Sequence, residues 1–235
     1  MSSWTARKFW TTASAVPVEG GFTVHLDGRP VRTPVKSPLV LPTLALAEAV
    51  AAEWQAQEVT VKPETMPFTR TANSAVDKVK PQFAAVADML TEYGGSDLLC
   101  YRAEGPAELV ALQAQGWDPL LDWAREDLGA PLRTTVGVMP VAQPEASLAA
   151  LRGLVHGFGP FELAAFHDLV AISGSLVLAL AVTRGRIDVA EAWRLSRIDE
   201  DWQIALWGED EEAAEVAARK REALLQADRF LTLCG

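Results

Sequence analysis

The spacing of apolar residues changes once along this chain, from every second residue to every third or fourth, and this change constrains the fold. Between Phe9 and Leu41 the apolar residues alternate in short runs, which is the pattern of half-buried strands. Asp27-Gly28 separates two of these runs and favours a two-residue hairpin, because both central residues of such a turn adopt positive φ. The N-terminal part is therefore predicted to form a small antiparallel sheet.

From Pro42 onward the apolar spacing is helical. Leu46, Val50 and Trp54 recur at i, i+4 and i+8, and Thr43 precedes them as a candidate N-cap. A first helix is predicted over residues 44–57, with Trp54 on the face that packs against the sheet. Further helices, separated by Gly and Pro, are predicted over residues 69–79, 82–93, 106–128, 144–157, 160–183, 188–207 and 210–229.

These patterns predict an α+β protein in two parts. A small N-terminal domain of antiparallel sheet plus helix is expected over residues 1–75, and a larger all-helical domain over residues 76–235. The boundary is placed where the period and the charge change and where Pro63 and Pro67 interrupt the chain. A length of 235 residues is enough to bury a substantial core in such an arrangement.

The net charge of −10 is unevenly distributed. Residues 1–80 hold nine basic and seven acidic residues, whereas residues 81–235 hold twelve and twenty-four. An acidic C-terminal part repels phosphate backbones and anionic head groups, so nucleic acids and membrane surfaces are disfavoured as partners. A neutral or basic protein surface is favoured instead.

Targeting and membrane segments are not indicated by the sequence. Met1–Trp10 lacks the apolar region of a secretory signal. The most apolar stretch, Leu169–Val182, has fourteen residues, whereas a membrane span needs about 20, so a buried helix is predicted. The two cysteines, Cys100 and Cys234, follow no disulfide or zinc spacing. A reducing bacterial cytoplasm is the expected location.

Residues that carry catalysis or bind metals are scarce. His25 and Asp27 could be ligands on one strand face, but the Asp-Gly turn already accounts for Asp27 and no further ligands follow. His167 and Asp168 are adjacent on a predicted helix, where side chains diverge by about 100°, so they are not expected to pair. No phosphate-binding loop or nucleophile motif is recognised. We therefore expect no catalytic residues, no cofactor and no metal.

The segment over residues 188–215 is the most distinctive part of the sequence. Asp188 and Glu191 have the spacing of a capping box, with Asp in place of Ser or Thr, and this fixes the phase of the helix that follows. The face predicted to point to the core consists of Leu195, Ile198 and Trp202. A second, mostly polar stripe that would be available to a partner consists of Ser196, Glu200, Gln203 and Trp207.

Between Arg197 and Arg219 there are eight acidic residues and no basic one. They are Asp199, Glu200, Asp201, Glu209, Asp210, Glu211, Glu212 and Glu215. One interpretation is a solvated face whose later carboxylates stabilise the start of the next helix through its dipole. The other is a recognition surface with Trp207 at its edge, since Trp is enriched at interface hot spots.

Eight short motifs occur in order along the chain. They are Arg7-Lys8-Phe9-Trp10, Leu26 to Pro34, Leu41-Pro42-Thr43, Glu53-Trp54, Met66-Pro67, Asp97 to Arg102, Trp117-Asp118-Pro119-Leu120, and Leu195 to Gln203 with the following Trp207-Gly208. In this order they resemble the chaperones that assemble the alpha subunit of the ATP-synthase F1 sector in mitochondria and related bacteria. The resemblance extends over nearly the whole chain.

The resemblance implies a non-enzymatic chaperone that binds unassembled alpha subunit transiently and prevents its aggregation until it pairs with beta. It also implies that Glu200, Glu209 and Glu211 match acidic positions of the family. The candidate partner-binding residues are therefore Ser196, Asp199, Glu200, Gln203, Trp207, Glu209 and Glu211. A monomer is expected, with the mitochondrial matrix as the location of organellar relatives.

Two other function classes stay open at the level of sequence. One is an interaction or scaffold protein of the same fold with a different client. The other is a small-molecule enzyme, which would require a pocket with convergent titratable groups.

Overall fold

The computed structural model describes residues 7–235, which form two compact units. The first unit comprises residues 7–83 together with Gly159–Ala165 and Arg229–Gly235. The second comprises Ala84–Phe158 and Phe166–Asp228. Two segments from the C-terminal half of the chain thus belong to the first unit. The domain boundary predicted at residue 75 stays a prediction.

The secondary structure confirms the predicted α+β class. The strands are β1 (Ala13–Val18), β2 (Gly21–Leu26), β3 (Arg29–Pro30), β4 (Tyr101–Arg102) and β5 (Thr135–Val136). The helices are α1 (Leu44–Gln55), α2 (Pro67–Ser74), α3 (Phe83–Thr91), α4 (Ala107–Asp127), α5 (Glu145–Val155), α6 (Pro160–Ser173), α7 (Leu176–Thr183), α8 (Val189–Ser196), α9 (Ile198–Trp207) and α10 (Glu211–Cys234). Shorter helical turns lie at Pro63–Thr65, Ala75–Val79, Lys80–Gln82, Glu92–Gly95 and Leu98–Cys100.

The predicted antiparallel sheet of the first unit has the order β1-β2-β3. Asp27 and Gly28 join β2 to β3 with φ values of 46° and 82°, so the predicted hairpin turn is confirmed. The Asp27 carboxylate accepts hydrogen bonds from the backbone N–H groups of Thr11 and Thr12, both at 2.9 Å. These bonds lower the pKa of Asp27. Asp27 therefore stabilises the turn and the chain entering β1.

Helix α1 packs on this sheet, as its apolar spacing predicts. The Thr43 hydroxyl accepts a hydrogen bond from the Leu46 N–H at 3.1 Å, which confirms the predicted N-cap. The same hydroxyl donates to the Leu233 carbonyl near the end of α10. Trp54 is only partly buried, and its ring meets Trp10 edge-on with 5.3 Å between centroids. The start of α1 and the end of α10 are thus joined within the first unit.

Two of the helices predicted as continuous are each broken in two. Residues 160–183 form α6 and α7, separated at Gly174, which has a φ of 70°. Residues 188–207 form α8 and α9, separated at Arg197, which has a φ of −119°. The single-helix predictions for these ranges are wrong, because the apolar spacing continues across both breaks.

One exception interrupts the helical pattern of the second unit. Strands β4 and β5 pair in parallel, with Tyr101 beside Thr135 and Arg102 beside Val136. This pair is too short to give a periodic signal in the sequence.

Regarding membranes, no helix within residues 7–235 combines the length and the apolarity that a span requires. The apolar stretch Leu169–Val182 is divided between α6 and α7. The prediction about a targeting signal concerns Met1–Trp10, and residues 1–6 of that range lie outside the described residues.

A fully buried carboxylate, Asp97, organises the start of α7 in the second unit. Its oxygens accept hydrogen bonds from the Ser175 hydroxyl at 2.7 Å and from the N–H groups of Leu99 and Val177 at 3.1 and 3.0 Å. Burial raises the pKa of Asp97, and the donors offset part of that effect. Asp97 thus connects the turn after α3 to the N-terminus of α7.

Replacing Asp97 by Ala is expected to lower the free energy of unfolding by about 3 kcal/mol or more, because three buried donors lose their acceptor. Urea unfolding followed by circular dichroism measures this loss. Glu104→Ala, at an exposed carboxylate of the same unit, is the control and should change stability by less than about 0.5 kcal/mol. Equal midpoints for the two variants would contradict the role given to Asp97.

Candidate functional site

The predicted partner-binding segment is built from α8, α9 and the start of α10. The Asp188 side chain accepts a hydrogen bond from the Glu191 N–H at 2.7 Å, so the predicted N-cap is confirmed. The Glu191 carboxylate binds Arg194 at 2.6 and 2.8 Å, so only half of the capping box forms. The break at Arg197 then changes the direction in which the residues after Ser196 point.

Helix α4 positions this break through three residues that are not among the predicted partner-binding residues. The Trp117 indole N–H donates to the Leu195 carbonyl at 2.9 Å, which satisfies one of the free carbonyls at the end of α8. The Gln113 amide donates to the Asp199 carboxylate at 2.6 Å, in the first turn of α9. A Cβ at Gly116 would lie 2.7 Å from a methyl group of Leu195, so a larger residue there would require the Leu195 side chain to shift.

A signal for these residues does exist in the sequence. Gln113, Gly116 and Trp117 are spaced i, i+3 and i+4, so they share one face of α4. The sequence does not show, however, that this face of α4 contacts the end of α8, 78 positions after Trp117.

Two of the seven predicted partner-binding residues have roles inside the protein. Ser196 is buried, and its hydroxyl donates to the Trp193 carbonyl at 2.8 Å. Asp199 is half-buried and uses one carboxylate oxygen to accept the bond from Gln113. The prediction of a stripe that includes Ser196 requires an unbroken helix over residues 188–207. Because the helix breaks at Arg197, Ser196 is buried while Glu200, Gln203 and Trp207 are exposed. The exposed members are Glu200, Gln203, Trp207, Glu209 and Glu211.

None of the residues 199–223 is buried. This segment, called the acidic arm below, contains α9 after its first residue, the turn at Gly208 and the first half of α10. At the end of α9, Leu206 and Trp207 are 57% and 82% exposed, and Gly208 follows with a φ of 89°. An exposed indole next to an exposed leucine is unusual on a surface with no partner. The side chains of the acidic arm are therefore accessible, and none of them is part of the hydrophobic core.

Four of the eight clustered carboxylates have a partner within the chain. Asp199 binds Gln113, Asp201 binds Arg197 at 3.2 Å, Asp210 caps α10 through the Ala213 N–H at 2.8 Å, and Glu215 lies 3.5 Å from Arg219. In the part of the chain that the structure describes, no such partner is recorded for Glu200, Glu209, Glu211 and Glu212. The structural interpretation is therefore confirmed for some of the carboxylates, and the recognition surface stays a prediction.

Other reactive groups lie elsewhere in the fold. His167 Nδ1 and Asp168 Oδ1 are 3.0 Å apart, so the expectation that they do not pair is wrong, and this contact raises the pKa of His167. Burial raises the pKa of the Cys100 and Cys234 thiols to about 12. Within residues 7–235, no group of three His, Cys, Asp or Glu side chains is arranged to hold a metal ion.

Comparisons with known proteins place this fold among chaperones. A family profile described as "ATP12 chaperone protein" matches residues 7–125. The crystal structure of Atp12 from Paracoccus denitrificans is 55% identical, with a TM-score of 0.95 over 98% of this chain and 99% of that one. A solved structure from Agrobacterium tumefaciens is 42% identical, with a TM-score of 0.94 over 98% of this chain and 87% of that one. The mitochondrial protein atp12 of Schizosaccharomyces pombe is 24% identical over 97% of this chain and 82% of its own length.

The exposure of the Trp207 side chain predicts how its removal affects the stability of the fold. Trp207→Ala should change the free energy of unfolding by less than about 0.5 kcal/mol, because an exposed side chain loses few contacts. Trp117→Ala is the matched control, and the loss of this buried ring and its hydrogen bond should cost about 3–5 kcal/mol. Thermal and urea unfolding measure both. If Trp207→Ala unfolded as readily as Trp117→Ala, the end of α9 would be packed rather than exposed.

Proposed function

The chain belongs to the ATP12 chaperone family, a family of chaperones rather than enzymes, and we propose that it assists assembly of the ATP-synthase F1 sector. In this proposal it binds the unassembled alpha subunit and prevents aggregation until that subunit pairs with beta. The motif resemblance and the match over nearly the whole length of the Paracoccus denitrificans protein support this assignment.

The observation that carries the proposal is the acidic arm with Leu206 and Trp207 exposed. An unassembled subunit exposes the apolar surface of an obligate interface, and such surfaces aggregate when uncovered. A chaperone that covers this apolar surface needs exposed apolar side chains that are not buried in its own core. Leu206 and Trp207 provide such area, and aromatic side chains contribute strongly to protein interfaces.

The charge of the acidic arm supports a basic partner surface. Residues 199–223 contain nine acidic and three basic residues. An arm of this charge attracts a basic surface over a distance of about 8–10 Å at physiological salt, and this attraction raises the association rate more than the final affinity. The exposed members of the predicted site, Glu200, Gln203, Trp207, Glu209 and Glu211, are accordingly proposed as client contacts.

We further propose that the protein acts as a monomer and releases its client, in the compartment where the F1 sector is assembled. The similar proteins from Paracoccus denitrificans and Schizosaccharomyces pombe are bacterial and mitochondrial respectively. For this chain the bacterial cytoplasm is the proposed compartment, and the mitochondrial matrix is the corresponding one for organellar relatives.

The variant Glu200→Gln, Trp207→Ala, Glu211→Gln tests the proposal. It should keep its fold and lose most of its ability to suppress aggregation of alpha subunit diluted from denaturant, because both the apolar and the charged contacts are removed. Light scattering measures aggregation, and circular dichroism measures folding. Capture by the wild type should weaken as salt is raised, and the variant should show little salt dependence.

The matched control is Glu58→Gln, Val59→Ala, Glu64→Gln, which makes changes of a similar kind at exposed residues of the first unit. It should suppress aggregation as well as the wild type does. If the acidic-arm variant were folded and equally protective, the arm would be a solvated face. If the wild type failed to protect the alpha subunit at all, the client assignment would be wrong.

A further inference from the structure

An open groove lies between α4 and the α8–α9 pair, entirely within the second unit. It encloses about 830 Å³, which is within the range of ligand and peptide pockets. On the α4 side it is lined by Leu112, Gly116 and Pro119, at i, i+4 and i+7. Leu112 is 44% exposed, so an apolar side chain stands at the opening without cover.

The opposite wall is a face of α9 that includes Ile198 and Trp202, two residues of the predicted core face. Ile198, Trp202 and Ala205 line it at i, i+4 and i+7. Ile198 is buried, but Trp202 is only partly buried and Ala205 is exposed. The prediction of a core position is therefore confirmed for Ile198. One turn later, Trp202 lines the groove and is only partly buried.

Both walls are helix faces at the same spacing, so the groove has the form that accepts an amphipathic helix. In this mode of recognition a helix inserts side chains at i, i+3 or i+4 and i+7 between two others. A polar anchor is also available, because Pro119 has no N–H to donate to the carbonyl of Gln115 one turn earlier. Gln115 and Pro119 both line the groove, so this carbonyl lacks its usual helical donor where an occupant would lie.

The charges around the groove decide between occupants. At its edge Glu191 is bound to Arg194 and Asp201 to Arg197, so these ion pairs are balanced, and Arg186 adds one basic side chain to the lining. The whole second unit, however, contains twenty-three acidic and eleven basic residues. A second copy would bring an equally acidic surface and be repelled, and so would nucleic acid or an anionic membrane. The groove lining itself therefore favours apolar side chains, and the acidic surface around it favours a protein segment whose flanks are basic.

We propose that this groove binds an apolar helical segment of the client flanked by basic residues, next to the contacts made by the acidic arm. This inference rests on the proposed chaperone function and extends the contact surface to α4 and to the face of α9 that carries Trp202 and Ala205. The division of roles is that the carboxylates of the arm attract the client, while the groove holds apolar side chains that would otherwise drive aggregation. Residues Leu112, Trp202 and Ala205 become client contacts, and none of them belongs to the site predicted from the sequence.

A blocking substitution tests the groove directly. Ala205→Trp fills it from an exposed position, so the fold should be kept while binding of purified F1 alpha subunit weakens at least tenfold. Ala149→Trp makes the same change at an exposed position of α5 that does not line the groove, and it should bind as the wild type does. Affinity is measured by fluorescence anisotropy with labelled alpha subunit, and folding by thermal unfolding.

A photoreactive benzoylphenylalanine in place of Leu112 gives an independent test. Irradiation of the mixture should cross-link it to the alpha subunit, and Ala205→Trp in the same chain should suppress the cross-link. Equal binding of alpha subunit by the wild type and a folded Ala205→Trp variant would overturn the groove inference alone. Cross-links to a second copy of the chain would overturn it as well. Failure of the wild type to bind alpha subunit would overturn both this inference and the proposed function.

Discussion

The contact between α4 and the junction of α8 with α9 is the interaction on which both the acidic arm and the groove depend. Trp117 satisfies the Leu195 carbonyl where α8 ends, and Gln113 binds Asp199 where α9 begins. Gly116 between them leaves room for the Leu195 side chain, which would have to shift if a Cβ were present. Together these residues fix the break at Arg197, which directs α9 away from the line of α8 and opens the space between α9 and α4.

The sequence predicts the features that neighbouring residues determine. The Asp27-Gly28 turn and the N-caps at Thr43 and Asp188 depend on a few adjacent residues, and all three are confirmed. The break at Arg197 is different, because its partner Trp117 lies 78 positions before Leu195. The apolar period runs through the break unchanged, so the predicted phase placed Ser196 in a surface stripe that the folded chain does not form.

The same limit applies to the candidate site. Composition and spacing identify the acidic cluster and Trp207, but they cannot tell which carboxylates serve the fold. In the structure Asp199 and Asp210 bind within the chain, whereas Glu200 and Glu211 stay exposed. The groove could not be predicted either, because Trp202 has the spacing of a core residue. Burial of such a residue depends on how closely another helix approaches.

Hydrogen–deuterium exchange on the complex with purified F1 alpha subunit tests whether the acidic arm contacts the client. The amides of residues 199–223 lie in α9, the turn at Gly208 and the first half of α10, and none of these residues is buried, so in the free protein they should exchange faster than those of the sheet. Binding should slow exchange in the acidic arm and leave β1 and β2 unchanged. If the complex forms while exchange in the acidic arm stays as fast as in the free protein, the arm does not contact the client.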